Sequence, residues 1–244
     1  SSNTKLGYNA LNMNIAYKLY SLYSRTTIYT YLTYEKADNT EMLNYQNDGL
    51  LHNQNYMDGG EKETVSATLY ANKGLGNLPI DAKLTTTFLW NRNEIAYNSI
   101  PYKMLIGSLK TDLGFASRFK IPFNVEIDGL YNKLTNKVTD LNIDSSDKEI
   151  GGTAKLIFAK NKFASFVTGK WNKIENTSGS KILRDIDFSI SYKIKKFTCK
   201  LSGTNIFHLN GINWLKQNVT PTYTSYVRYK QHSGNVMLSL TYQL

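Results

Sequence analysis

The sequence is poor in the residues that interrupt or cross-link chains: one cysteine, four prolines and three histidines among 244 residues. A single cysteine, Cys199, excludes an intrachain disulfide framework, and inside an alternating run it reads as a small apolar side chain. Nowhere do about 18 apolar residues run consecutively, which excludes a transmembrane helix. The opening stretch, SSNTKLGYNALNMN, lacks the basic-then-apolar arrangement of a signal peptide, so any such segment is expected upstream or already removed. His52, His208 and His232 have no ligand-like spacing, and no metal or other cofactor is expected. GLGNLP, residues 74–79, has no phosphate-loop lysine and opens no helix. The net charge is +10, but the lysines are scattered and form no arginine-rich stripe, so a nucleic-acid partner is not expected. Basic turns near an anionic membrane surface explain them at least as well.

What the chain has is alternation. In residues 184–207, Asp185, Asp187, Ser189 and Ser191 alternate with Ile186, Phe188, Ile190 and Tyr192. A lysine turn follows, and the pattern restarts at Phe197. Leu11, Met13, Ile15, Tyr17 and Leu19 open the same rhythm, and Val236, Leu238, Leu240, Tyr242 and Leu244 close it. Period-2 alternation of this kind, with 18 tyrosines and abundant Asn, Thr and Ser, predicts strands throughout and no helix. The reading gives eleven strands, near 5–20, 26–36, 62–73, 80–91, 104–117, 123–134, 149–159, 163–174, 182–193, 197–206 and 226–244.

The connections alternate too. Those near 21–25, 74–79, 119–122, 160–162 and 194–196 are short, whereas those near 37–60, 92–103, 135–147, 175–181 and 207–225 read as long polar loops. A soluble β-sandwich also alternates, but it does not sort short and long connections to opposite ends. Outer-membrane barrels do, with aromatic residues gathered at the strand ends. The expected fold is therefore all-β, a transmembrane antiparallel β-barrel portion that occupies residues 1–244 as a single unit. An odd count does not close a bacterial single-chain barrel. Eleven is half of 22, the strand number of plugged transporters, so the chain is expected to be the C-terminal half of such a barrel.

FTCKLSGTNIFHLNG resembles the penultimate strand of TonB-dependent outer-membrane receptors, in which an alternating strand runs into an Asn-(Leu/Ile)-Phe motif, here Asn205, Ile206 and Phe207. The closing SGNVMLSLTYQL is similar to the terminal strand of that family, which usually ends in an aromatic residue; here Leu244 is last, with Tyr242 two before it. The resemblance implies active, TonB-energised import of a nutrient such as a glycan, peptide or siderophore across the outer membrane of a Gram-negative bacterium. It implies four partners: outer-membrane lipid, an N-terminal plug domain not present in these residues, TonB itself and, in some relatives, a surface lipoprotein lid. A passive porin or adhesin-like barrel without a plug is the alternative.

No catalytic constellation is present, and no enzyme activity is expected. Tyr45, Tyr56, Trp214 and Tyr223 are aromatic residues on the expected outer loops, suited to stacking on sugars or other flat ligands. Lys110, Asp112, Glu126, Asp128, Asp185 and Asp187 are expected to face the lumen, where they would hydrogen-bond a plug or tune passage.

Overall fold

A computed structural model of the chain describes residues 9–48, 51–141, 143–177, 179–219, 224–231 and 233–242. Thirteen strands appear in chain order: β1 Asn9–Ser21, β2 Thr26–Asp48, β3 Leu51–Gly74, β4 Ile80–Tyr97, β5 Ile100–Ser117, β6 Phe123–Val138 and β7 Ile143–Lys160. They continue as β8 Phe163–Asn176, β9 Gly179–Ile194, β10 Phe197–Thr204, β11 Ile212–Val219, β12 Thr224–Gln231 and β13 Asn235–Tyr242. Eleven of them form one meandering antiparallel sheet, in the order β1 through β10 and then β13. β11 and β12 form a separate hairpin between the last two. The sheet is open: β1 and β13 are its two edges, and among the described residues they do not pair with each other.

At one end, the turn side, connections are tight. Asn161 and Lys195 hold left-handed φ of 54° and 53° at the first position of two-residue hairpin turns, the primed geometry that matches strand twist. The opposite, loop side differs from the expectation. The segments read as long loops near 37–60, 92–103, 135–147 and 175–181 are mostly strand, because β2, β3, β4 and β7 run well past the alternating region. Asn98 and Ser99, both at positive φ, make the whole β4–β5 turn. The expected final strand over 226–244 is in fact β12 followed by β13.

Register sorts the side chains cleanly, since residues paired across strands share a face. Ile15, Leu32, Ala67, Phe88 and Leu109 form one cross-strand row of the apolar face. Ile190, Leu201 and Leu238 form another. These side chains are not covered: Ile15 is 61% exposed and Leu238 71%. The buried apolar residues among those described are Ala37, Met42, Ile95, Ala96 and Val138, all at the loop side. There the β2–β3 pairing slips at Ala37–Thr40 and again at Thr40–Met42, so the tip of β2 leans across to pair in parallel with β4 at Asn44↔Ala96 and Tyr45↔Tyr97. Asn44, fully buried, accepts a hydrogen bond from the Ser99 amide at 3.1 Å and locks the tip in place. Thus the buried apolar side chains among the described residues lie above the alternating region, and the sheet below them has an apolar side and a polar side.

Candidate functional site

The six polar residues expected in the lumen all lie on the polar face. Lys110 and Asp112 sit opposite Asn132 and Leu130, Glu126 and Asp128 opposite Lys155 and Thr153, and Asp185 and Asp187 opposite Lys170 and Thr168. Cross-strand pairing of opposite charges is a recurring device on this face. Lys155 Nζ donates to Glu126 Oε2 at 3.1 Å and Lys62 lies 3.4 Å from Glu35 across strands, while Lys110 lies 3.5 Å from Asp112 two residues along its own strand. All are half-exposed pairs, so each adds little to stability and mainly fixes side-chain positions.

Three of the six, Asp112, Asp128 and Asp185, line a single cavity of about 640 Å³, together with Lys83, Lys170 and His208. Its lining comes from every strand between β4 and β9, so the sheet must curl about its polar face. Lys110, Glu126 and Asp187 do not line it.

The most ordered corner of the cavity is built on β9. Asp185 and Asp187 are two residues apart and point the same way, toward the segment that follows β10. There Asn205 takes a left-handed conformation (φ 50°, ψ 48°), which asparagine tolerates better than most residues, and turns the chain into a short 3-10 turn, Ile206–His208. Asp187 Oδ1 accepts the Asn205 amide at 2.9 Å. Asp185 Oδ1 accepts the Phe207 amide at 3.1 Å and that of Ile186 at 2.9 Å. His208 Nδ1 lies 2.8 Å from Asp185 Oδ2, and a carboxylate oxygen only accepts, so the proton of this bond sits on Nδ1. Lys170 pairs with Asp187 and also reaches Asn205 Oδ1 at 3.4 Å.

Two glycines make room for this strap. A Cβ on Gly203 would meet Ile206 and the Phe188 ring at 2.5 and 2.6 Å, and one on Gly234 would lie 2.1 Å from the Asn205 carbonyl oxygen. The motif Asn205-Ile206-Phe207 is therefore a strap pinned to the wall by two carboxylates. The sequence placed Asp185 and Asp187 on the right face but gave no sign of their partners. His208, set aside for lack of nearby histidines, is one of them. Lys83 and Lys170, both missed, carried a readable signal, since each occupies a polar-face position of its strand.

Of the expected aromatic residues, Tyr45 and Tyr56 lie on one face of the adjacent strands β2 and β3, on a diagonal of the register. Tyr45 lies near the tip of β2, where its carbonyl accepts the Asn98 amide at 2.9 Å. Tyr56, on β3, is 72% exposed. Both stand on strands, not loops. Trp214 is on β11, opposite Tyr229, and Tyr223 lies outside the described residues. At the loop-side end of the opposite, apolar face, Glu175 is held below the usual carboxylate range by the hydrogen bond and positive charge of Lys173, aided by Lys148 and opposed by partial desolvation.

Chemically, the cavity offers balanced charges and amides that suit a polar, hydrogen-bonding surface or ligand. Among the described residues, no group of three or more His, Cys, Asp or Glu side chains is placed to hold a metal ion. No protein-family model matches the chain, and no curated protein sequence matches it.

Proposed function

We propose that the chain is part of the wall of a transmembrane β-barrel in a bacterial outer membrane, and that this barrel is a TonB-dependent importer. The observation that carries the membrane reading is the inverted burial. Large apolar side chains stand exposed along a whole face, while the opposite face is salt-bridged and polar. In water, a contiguous apolar patch beyond a few hundred Å² is a liability. In lipid it is the solvent-matched side, and the polar face becomes a lumen wall.

Strand direction supports a larger closed barrel. With eleven antiparallel strands, β1 and β13 both run from the loop side to the turn side. A second copy of the chain in the same orientation would meet each edge with a parallel strand. An all-antiparallel closure needs a complement with an odd number of strands whose outermost members run the other way. An eleven-stranded complement meets that condition and gives the 22 strands of plugged transporters. The polar cavity would then face a plug domain, TonB would act through that plug, and the loop-side aromatics Tyr45 and Tyr56 would stand toward incoming nutrient or a lipoprotein lid.

The test is the intact mass of the purified protein under denaturing conditions, with peptide mapping upstream of Ser1, alongside its dispersity with and without detergent. A mass far above 27.8 kDa with a plug-like upstream sequence supports the importer. A protein of 27.8 kDa that stays monodisperse without detergent would end both the importer and the membrane readings.

A further inference from the structure

The apolar face of β6–β9 is not uniform along the strands. From the turn side upward, its cross-strand rows are Phe123–Phe158–Ser165–Ile190, then Val125–Leu156–Val167–Phe188, then Ile127–Ala154–Gly169–Ile186. Above these come Gly129–Gly152–Trp171–Arg184, then Tyr131–Ile150–Lys173–Ile182, then Lys133–Lys148–Glu175–Ser180. Two features stand out. Gly152, Ala154 and Gly169 leave a hollow of about 500 Å³, walled by Ile127, Trp171, Ile186 and Phe207. A second apolar hollow, of about 350 Å³, lies below it between Phe123, Leu156 and Phe158. Above the hollows, five cations, Lys133, Lys137, Lys148, Lys173 and Arg184, share this face with two carboxylates: Asp144, directly opposite Lys137, and Glu175, which Lys148 and Lys173 already engage. Lys133 and Lys148 are direct cross-strand neighbours, an arrangement that costs stability unless an anion sits between them. Lys133 and Arg184 are exposed and make no ion pair among the described residues. By contrast, on the same face of β3–β4, Arg92 meets both Glu61 and Glu63.

We infer that this face binds a phosphate-bearing membrane lipid. Its headgroup phosphate is held between the cross-strand neighbours Lys133 and Lys148; Lys173 and Arg184 continue the basic track diagonally down the face, and an acyl chain lies in the hollows below. The inference rests on the membrane reading above and adds a ligand to it. Charge complementarity selects the occupant: an excess of cations at the level of the loop-side interface, directly above an apolar track, fits a lipid with an anionic head. Trp171 stands between the two, where amphipathic aromatics settle at membrane interfaces.

The test uses the full-length protein reconstituted in phosphatidylcholine vesicles doped with phosphatidylglycerol or with a bis-phosphorylated glycolipid, followed by native mass spectrometry of retained lipid. The wild type is expected to retain phosphate-rich lipid over phosphatidylcholine. Lys133→Gln and Arg184→Gln should each lower retention about fivefold, the factor for roughly 1 kcal/mol per basic residue at an anionic surface. Gly169→Leu enters open space, since nothing lies within 4 Å of a Cβ there. It should reduce retention of all acyl lipids while leaving the headgroup preference intact. Better retention of the glycolipid identifies it as the source of the phosphate; equal retention of both anionic lipids assigns the site to lipid phosphate in general. Insertion into vesicles with no headgroup preference, or with retention unchanged in the Lys133→Gln/Arg184→Gln double variant, overturns this inference alone. Failure to insert, with a monodisperse detergent-free protein, overturns the membrane reading with it.

Discussion

Asp185→Ala should release the Asn205–His208 strap without opening the sheet beneath it. The substitution removes the acceptor for the Phe207 amide at 3.1 Å and for His208 Nδ1 at 2.8 Å. Its third bond, to the Ile186 amide at 2.9 Å, is local to β9 and does not reach the strap. Hydrogen bonds to a charged acceptor contribute about 1.5–3 kcal/mol each. The two that reach the strap are not additive, and the imidazole is 30% exposed, so water replaces part of what is lost. The Asn205 amide, bound to Asp187, remains as a tether. About 3 kcal/mol is therefore expected for strap opening, or roughly a hundredfold faster amide exchange where exchange follows the opening equilibrium. Hydrogen-exchange mass spectrometry of detergent-solubilised protein reads this directly in peptides spanning residues 203–211. Peptides from β4 to β8 serve as the internal control and should not change. Asp185→Asn keeps an acceptor and loses the charge, so its effect should fall between wild type and alanine. Exchange at Phe207 within about threefold of wild type in the alanine variant would refute the claim that this carboxylate pins the strap.

Asp81 receives both Arg25 and Arg118, joining three of the turn-side connections. Asp81→Asn is expected to lower the unfolding free energy by about 1 kcal/mol, a modest figure because both guanidinium groups are well exposed. Urea unfolding followed by tryptophan fluorescence checks it, with Lys110→Gln as the control for a single isolated pair; equal midpoints would count against the three-turn clamp. Two glycines one strand apart should respond in opposite directions. A Cβ on Gly152 would stand 2.8 Å from the Asp128 carbonyl oxygen, so Gly152→Ala should cost about 1–3 kcal/mol. Gly169→Ala meets nothing within 4 Å and should gain about 0.4–1 kcal/mol through the unfolded chain. Similar unfolding midpoints for the two variants would contradict the packing described. Glu175 should titrate below the ordinary glutamate value, and Lys173→Gln should bring its midpoint up. Carbon-detected NMR of the side-chain carboxyl tests this, and a midpoint unmoved by the substitution would remove Lys173 as the cause.

The polar face was legible because period 2 is a local property. Once Asp112, Asp128 and Asp185 alternate with apolar neighbours, antiparallel register carries all of them to one side. The strand count of the main sheet was legible for the same reason. The loop side was not. Beyond the alternating region the β2–β3 register slips twice and the β2 tip leans onto β4, so residues 37–60 show no steady apolar period although β2 and β3 run through most of them. Polarity there was read as loop, although the strands continue and bury Ala37, Met42 and the polar Asn44 out of period. The strap was hidden for a different reason. His208 and Asp185 are 23 residues apart, and only the pairing of β9 with β10 brings them to 2.8 Å.

The two ends of the sheet are held by different means. The turn side is tied by Asp81, while the loop side is held by the Ala37–Met42–Ile95–Ala96–Val138 cluster, by Asn44 against the β4–β5 turn, and by the Asp185 strap. Residues at the loop side therefore stand on hydrogen-bonded strands. Tyr56 is exposed on β3, and the cavity corner at Lys170, Asp185 and His208 is fixed by partners on three segments. Groups presented in this way lose little conformational freedom on contact, so a partner reaching the loop side would meet preorganised surfaces. Under the proposed barrel reading, specificity belongs to the strand extensions and the strap, and the regular lattice between them serves to separate lumen from lipid.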